Sequence, residues 1–159
     1  MMPRYGSEKK VDQEKRIRQL KPRDRSRIEE MVVSSGNYND VEIETALELV
    51  DEAIKKGDTS SYVFACYGPT PLTQGVYDLY CIVVDPAAQK KGHGRYLLEY
   101  VEREVKKQSG RMLLIGTSSQ ESYGETIRFY ERNGYQLAAR IKDFYRIGDY
   151  KPVFSKVLM

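Results

Sequence analysis

The sequence is poor in the residues that build metal sites and disulfide frameworks. It contains one histidine, His93, and two cysteines, Cys66 and Cys81, among 159 residues. The cysteines are far apart and form no Cys-x-x-Cys motif. Each lies in an apolar, strand-like segment, which predicts buried reduced thiols rather than a disulfide or a metal pair. A single histidine without a nearby cysteine or acidic pattern also argues against a zinc site, so no metal is expected.

Long hydrophobic runs are missing as well. Fully apolar runs are only about four residues long, as in residues 81–84, whereas a membrane-spanning helix needs about 18 apolar residues or more. The first ten residues, MMPRYGSEKK, contain no apolar core of a secretory signal. The composition is 40% hydrophobic and 31% charged, which is typical of soluble globular proteins. We therefore expect a cytoplasmic protein without a membrane partner.

The charge is small overall but uneven along the chain. The net charge is +3, and residues 1–27 carry ten Lys or Arg against four acidic residues. A basic front of this kind could contact nucleic acid. Acidic residues interrupt the run and one aromatic residue accompanies it, which favours a solvated tail instead. We do not expect a nucleic-acid partner.

The length suits one domain with a sizeable core. Residues 1–14 lack hydrophobic periodicity and are predicted to form a flexible basic tail, followed by a single domain over residues 15–159. Hydrophobic spacing predicts strands and helices in the order β-α-α-β-β-α-β-α-β-β. The predicted strands are 15–21, 61–68, 76–85, 111–119 and the two strands of a C-terminal hairpin, and the predicted helices begin near residues 22, 40, 94 and 124. This order predicts an α/β fold with a mixed sheet.

The most informative segment is residues 83–102, VVDPAAQKKGHGRYLLEYVE, where a predicted strand is connected to a predicted helix. The first N–H groups of a helix are unpaired and carry partial positive charge. Glycines at positions 92 and 94 would let an anion approach this backbone closely, and nearby Lys and Arg side chains add charge. The pattern suits a pyrophosphate, although a plain turn would look the same. It matches neither the nucleoside-triphosphate loop nor the dinucleotide fingerprint.

The loop resembles that of the GCN5-related N-acetyltransferase (GNAT) family, which reads Gln/Arg-x-x-Gly-x-Gly/Ala between a strand and a helix. Here it reads Gln-Lys-Lys-Gly-His-Gly over residues 89–94. A second segment, Phe-Tyr-Glu-Arg-Asn-Gly-Tyr over residues 129–135, is similar to the family's Phe-Tyr-x-x-x-Gly-Phe/Tyr. The resemblance covers about residues 15–158. It implies the acyl-CoA N-acyltransferase fold, a central mixed sheet flanked by helices on both faces, with acetyl-CoA as the cosubstrate.

The resemblance also implies where acetyl-CoA would bind. In the family the strand before the loop separates from its neighbour at a bulge, and its main chain pairs with the pantetheine arm. That role falls on Ile82, Val83 and Val84, and a backbone N–H near Val84 would polarise the thioester carbonyl. The pyrophosphate would be held by the loop residues Gln89, Lys90, Lys91, Gly92, His93, Gly94 and Arg95.

Two residues are candidates for proton transfer during acetyl transfer to an amine. Tyr130 matches the tyrosine that often protonates the leaving thiolate in the family. Asp78 stands at the spacing before Gly92 at which one branch of the family carries its base. Regular alternation would place Asp78 on one face of the strand with Tyr80, Ile82 and Val84, where a carboxylate is unexpected. Tyr80 is the reserve candidate for the base, and no catalytic role is expected for His93.

The acceptor amine is not identified by the sequence. The segments 67–75 and 143–152 resemble a bacterial and archaeal branch of the family and are expected on the acceptor side. The predicted substrate contacts are Tyr67, Thr73, Tyr80, Tyr145 and Asp149. They would suit a small-molecule amine or an amine of a peptide or protein.

The sequence departs from the family at two places. Tyr123 replaces an asparagine that contacts the pantetheine arm in many members, and residues 58–75 have room for one clear strand where two are usual. The predicted function is an N-acetyltransferase in which an amine attacks acetyl-CoA directly. The alternative is a catalytically silent acetyl-CoA-binding regulatory or sensor module of the same fold. The sequence is also compatible with a homodimer.

Overall fold

The computed structural model of the chain describes residues 21–34, 40–56 and 63–159. The chain divides into two compact units, Met1–Tyr62 and Val63–Met159. The predicted basic tail and nearly all of the predicted strand 15–21 lie outside the described residues. No helix in the described ranges is long and apolar enough to cross a membrane.

The N-terminal unit contains two helices, α1 (Arg25–Ser34) and α2 (Asp40–Lys56). A 3₁₀ turn, Pro22–Asp24, leads into α1, and the Asp24 carboxylate accepts a hydrogen bond from the Lys21 backbone N–H at 2.8 Å. Both helices have one apolar face, as the spacing predicts. The buried side chains are Ile28, Met31, Val32, Ala46, Leu47 and Val50. The two helices pack on each other, and Arg25 of α1 pairs with Asp51 of α2 at 2.7 Å.

The C-terminal unit is built on a five-stranded mixed sheet. Its strands are β1 (Val63–Pro69), β2 (Val76–Val84), β3 (Met112–Gly116), β4 (Gln136–Arg146) and β5 (Asp149–Val157), arranged in the order β1-β2-β3-β5-β4. β2 and β3 are parallel, and the other neighbours are antiparallel. Among the described residues β1 is the one strand before β2. This agrees with the prediction that residues 58–75 have room for one clear strand.

Two helices connect these strands, α3 (His93–Lys107) between β2 and β3 and α4 (Gly124–Arg132) between β3 and β4. Both contribute to one hydrophobic core on the same face of the sheet. Its buried members are Leu79, Leu98, Val101, Val105, Leu113, Ile115, Tyr130, Tyr135, Phe154 and Leu158. The predicted α/β fold, a mixed sheet with flanking helices, is confirmed, as is the element order over the described residues.

A polar network ties α3 to the sheet beside this core. Glu102 of α3 accepts a hydrogen bond from the Tyr135 hydroxyl at 2.9 Å and pairs with Lys156 of β5 at 2.9 Å. Burial, followed by the charge of Glu102, raises the pKa of Tyr135. Tyr135 therefore keeps its proton and acts as a hydrogen-bond donor.

The packing of the turn that ends α3 can be tested by substitution. Gly110 is buried and donates a hydrogen bond to Val105 O at 2.8 Å. A Cβ at this position would lie 2.7 Å from the same carbonyl oxygen. Because backbone cannot move aside cheaply, Gly110→Ala should lower the free energy of unfolding by about 2–3 kcal/mol in denaturant titrations.

Gly124→Ala is the matched control, since a Cβ there would meet the Arg128 guanidinium at an ordinary 3.6 Å. Gly124 lies in a helix, where alanine is the better helix former. This variant should be as stable as the parent or slightly more so. Equal destabilisation by both substitutions would contradict the packing described for Gly110.

Candidate active site

The sheet opens between its two parallel strands. Pairing of β2 with β3 begins at Val76 and Met112 and ends at Leu79 and Ile115. β2 continues to Val84, and over residues 81–84 it is paired with β1 on its other side. The main chain of residues 80–84 therefore borders an opening in the described part of the sheet.

The chain that leaves β3 is held away from β2 by hydrogen bonds to β5. The Thr117 N–H donates to Pro152 O at 3.1 Å, and the Ser119 N–H donates to Tyr150 O at 3.1 Å. Asp149 adds a buried carboxylate that accepts hydrogen bonds from the same segment. Its donors are the hydroxyls of Ser118 at 2.7 Å and Ser119 at 3.2 Å, the Ser119 N–H at 3.2 Å and the Gln120 amide at 2.7 Å.

The Asp149 carboxylate is held in its charged form by these contacts. Burial alone would raise the pKa of Asp149, but the hydrogen bonds from Gln120, Ser118 and Ser119 outweigh it and hold the pKa below its ordinary value. The sequence predicted Asp149 as a substrate contact. In the structure its hydrogen bonds hold the chain that leaves β3 at the far side of the opening.

A β-bulge at Tyr80 changes which side chains face the helices. Cys66 of β1 pairs with Cys81, but its neighbour Tyr67 pairs with Leu79, so Tyr80 is the extra residue. Beyond the bulge, Ile82 packs against the core cluster that contains Leu79. The expectation that Asp78 shares a face with Ile82 and Val84 is therefore wrong, because a bulge reverses the alternation of side chains.

Asp78 lies on the face of β2 opposite Leu79. Its Oδ2 accepts a hydrogen bond from the Thr70 hydroxyl at 2.7 Å. Tyr80 covers Gly68, the β1 partner of Asp78, so closely that a Cβ on Gly68 would lie 3.1 Å from the Tyr80 hydroxyl. Tyr80 is 49% exposed. Asp78, Thr70 and Tyr80 thus form a polar group beside the opening, and the sequence did not single out Thr70.

Tyr130 lies on the other face, in the core. It is 4% exposed, and its ring packs at 5.3 Å from Phe129, 5.9 Å from Tyr135 and 6.5 Å from Phe154 between centroids. Its cluster includes Leu79 and Ile115, the last paired residues before the strands separate. Asp78 and Tyr130 therefore lie on opposite faces of the sheet, near the same end of the opening.

The loop after β2 brings a helix start to the end of this opening. A 3₁₀ turn, Pro86–Ala88, follows the strand, and Gln89 donates a side-chain hydrogen bond to Val84 O at 3.4 Å. Gly92 has φ +82° and precedes α3. The Tyr96 N–H donates to Gly92 O at 3.0 Å, so the amides of residues 93–95 precede the first intrahelical bond and point out of the helix.

Glycine is favoured at positions 92 and 94 for two different physical reasons. Gly92 is exposed, and a Cβ on it would meet nothing within 4 Å, so its positive φ is what favours glycine. A Cβ on Gly94 would lie 3.2 Å from a Val84 methyl and 3.5 Å from the Phe129 ring. Gly94 therefore lets the start of α3 approach both the end of β2 and helix α4.

Positive charge surrounds this helix start. Lys90, Lys91 and Arg95 are exposed, and Arg95 donates to Glu99 at 2.8 Å. The pKa of Glu125, in the first turn of α4, is lowered chiefly by its ion pair with Arg128 and to a smaller extent by Arg132 and Lys90. His93 is half-buried at the first position of α3. The loop thus combines the first amides of a helix with exposed cations, which is a suitable environment for a phosphate group.

The remaining predicted substrate contacts are dispersed. Tyr67 packs against the core, where burial and the charge of Glu104 raise its pKa. The Thr73 hydroxyl donates to Thr70 O at 2.7 Å within the β1–β2 turn. Tyr145, on β4, is 43% exposed and stacks edge-on with Phe144 at 4.9 Å. Of the predicted substrate contacts, Tyr80 is in the polar group of Asp78, and Thr73 adjoins that group through Thr70.

Comparison with known proteins agrees with this architecture. The acetyltransferase (GNAT) domain model matches residues 55–137, which is more than half of the chain. A GNAT-family protein of known structure from Desulfovibrio desulfuricans is 39% identical with a TM-score of 0.83, covering 90% of this chain and 98% of that protein. No curated protein matches the chain.

Two more distant structures share the fold. The YncA protein of Salmonella typhimurium, solved with acetyl-CoA, is 17% identical with a TM-score of 0.67, covering 89% of this chain and 92% of that one. An aminoglycoside 6'-N-acetyltransferase solved with coenzyme A is 15% identical with a TM-score of 0.61. The match covers 89% of this chain and 96% of that one. The chain belongs to the GNAT acetyltransferase family, whose members carry out acetyl-CoA-dependent acyl transfer.

Proposed function

We propose that this chain is an N-acetyltransferase that moves the acetyl group of acetyl-CoA to a primary amine by direct attack. The observation that carries the proposal is the opening between β2 and β3, which ends at the start of helix α3. An extended main chain and a cluster of unpaired amides lie end to end there. This arrangement suits a ligand that has an amide-rich arm and a diphosphate.

The arm of the cofactor would lie along residues 80–84, as a strand added at the open edge of β2. Main-chain hydrogen bonds would hold it, so the roles of Ile82, Val83 and Val84 need their backbone rather than their side chains. The Val84 carbonyl already accepts a hydrogen bond from Gln89. A backbone N–H near Val84 would polarise the thioester carbonyl where negative charge develops.

The diphosphate would lie at the start of α3. The amides of His93, Gly94 and Arg95 are the unpaired donors of the helix, and each charge-assisted bond to phosphate is worth about 1.5–3 kcal/mol. The exposed Lys90 and Lys91 would contribute positive charge at the same place. Gly92 itself places no side chain beside these amides, and the space that its Cβ would occupy is open to 4 Å.

Acetyl-CoA supplies the acetyl group as a thioester, and the protein then has two protons to move. On the side of Thr70 and Tyr80, Asp78 would take a proton from the ammonium form of the amine, directly or through a water. On the core side, Tyr130 would give a proton to the departing sulfur. An opening in the sheet lets groups on opposite faces serve the same thioester.

The Tyr130 role is tested with a pair of tyrosine substitutions. The assay is release of the coenzyme A thiol over a panel of polyamines, aminoglycosides, amino acids and N-terminal peptides. Tyr130→Phe keeps the packed ring but removes the proton donor, so kcat should fall by about 100-fold or more. Calorimetry should find the acetyl-CoA affinity within about twofold of the parent.

Tyr135→Phe is the matched control, because it removes a buried hydroxyl from the same core. Loss of its hydrogen bond to Glu102 should cost about 1 kcal/mol of stability and leave kcat unchanged. Equal kcat values for Tyr130→Phe and the parent would rule out Tyr130 as the acid. Acetyl-CoA binding by the parent without thiol release for any amine would favour the silent module.

The Asp78 role predicts a dependence on pH. Asp78→Asn keeps an oxygen that accepts from Thr70 but cannot take a proton, so kcat/KM at neutral pH should fall by about 100-fold. An alkyl amine has a pKa of about 10.4, so raising the pH supplies free amine from solution. The deficit of the variant should therefore shrink steadily as the pH rises.

Glu131→Gln, which changes an exposed carboxylate on α4, should reproduce the parent profile at every pH. A deficit in Asp78→Asn that stays constant across the pH range would contradict proton removal by Asp78. Such a result would leave acetyl-CoA binding and the Tyr130 test unaffected.

A further inference from the structure

The two cysteines of the chain lie directly opposite each other in the sheet. Cys66 of β1 and Cys81 of β2 are register partners in an antiparallel pair. Opposed residues of such a pair have Cα atoms about 4.5–5.5 Å apart and side chains on the same face. A disulfide needs a Cα separation of about 4.4–6.8 Å. The backbone therefore already holds these two residues at a distance that a disulfide can bridge.

Both residues are free thiols in this structure, and they interact. The hydrogen bond from Cys66 lowers the pKa of Cys81, while burial acts in the opposite direction. The same hydrogen bond, followed by burial, raises the pKa of Cys66. The two sulfurs therefore lie close enough for the ionisation of one to depend on the other. Thiolate is the reactive form of cysteine.

The cysteine pair lies close to the point where β2 separates from β3. Cys81 follows the bulged residue Tyr80, and the register shift in β1 falls between Cys66 and Tyr67. The next residue along β2, Ile82, borders the opening between β2 and β3. A covalent bond between the two sulfurs would fix β1 to β2 at the point where β2 leaves its other neighbour.

We propose that Cys66 and Cys81 form a reversible disulfide site that is closed by hydrogen peroxide and reopened by a dithiol. In the first step one of the two sulfurs, as a thiolate, attacks one peroxide oxygen, the O–O bond breaks, and a sulfenic acid and hydroxide form. In the second step the other sulfur attacks the sulfenic acid sulfur and displaces the oxygen as water. Overall two thiol protons and two electrons pass to the peroxide, which gives two waters and one S–S bond.

The burial of both cysteines favours a disulfide within one chain over a disulfide between two chains. Cys81 is 9% exposed and Cys66 is half-buried, so a small peroxide can reach the sulfurs more easily than the cysteine of a second chain can. The two cysteines are register partners in adjacent strands, so the second step needs no rearrangement of the backbone. Further oxidation of the sulfenic acid is therefore expected to be slower than ring closure.

The experiment treats the full-length chain with hydrogen peroxide and no cofactor. Thiols titrated under denaturing conditions should fall from two per chain to none, and the intact mass should drop by about 2 Da. The product should remain a monomer on a non-reducing gel, and dithiothreitol should restore both thiols. Two remaining thiols, a mass gain from added oxygen, or disulfide-linked dimers would each overturn the proposal.

Two further readouts test the structural consequence. The closed loop spans the β1–β2 hairpin, so the oxidised chain should unfold roughly 5–10 °C higher than the reduced chain. Hydrogen exchange should slow at the β1–β2 amides. Cys66→Ser, which keeps a small hydrogen-bonding side chain, should show neither change after peroxide.

If Cys66→Ser does not fold, peptide mapping of the oxidised parent replaces it, and a peptide linking residues 66 and 81 is then required. The absence of that linked peptide would overturn the proposal. None of these measurements uses acetyl-CoA. Their failure would therefore leave the proposed transferase function as it stands, and failure of acetyl transfer would not alter them.

Discussion

The geometry of this protein depends on the point at which two parallel strands stop pairing. β2 and β3 are hydrogen-bonded up to Leu79 and Ile115 and then separate. Two features maintain the separation. The bulge at Tyr80 turns β2 out of regular alternation, and the chain after Ile115 is bound by β5 through backbone hydrogen bonds and the buried Asp149 carboxylate. A sheet that closed here would have no open main-chain edge for an arm-like ligand.

Close packing connects this opening to the anion-binding end of helix α3. Gly94 has no side chain, and a Cβ there would press against Val84 and Phe129. The end of β2, the first turn of α3 and helix α4 therefore meet at one place. Tyr130 follows Phe129 on α4 and is packed into the core beneath the last paired residues of the opening. The proposed binding of both ends of acetyl-CoA follows from this convergence.

The sequence predicted the elements and their order because these follow from local signals. Hydrophobic periodicity, the glycines at positions 92 and 94, and the Asn133-Gly134 stop are all short-range features. The family resemblance rested on two short motifs, and family membership is confirmed. Pairing partners are long-range, so the termination of β2–β3 pairing was expected from the resemblance and not from periodicity.

The side-chain roles were harder to predict, and the reason is physical. One extra residue at Tyr80 reverses the faces of Ile82 and Val84, and nothing in the local sequence marks a bulge. Tyr67 was predicted as a substrate contact, and in the structure it is half-buried against the core, because its strand lies beneath α3. Asp149 and Thr70 acquire their contacts only through distant segments. The roles of Tyr130 and Asp78 remain predictions.

The most direct test of the central claim is amide hydrogen exchange of the chain with and without coenzyme A. If the cofactor lies along the open edge of β2 and against the start of α3, exchange should slow at the amides of residues 80–84 that face the opening and at residues 93–95. Binding with protection confined to other segments, or no binding at all, would contradict the account.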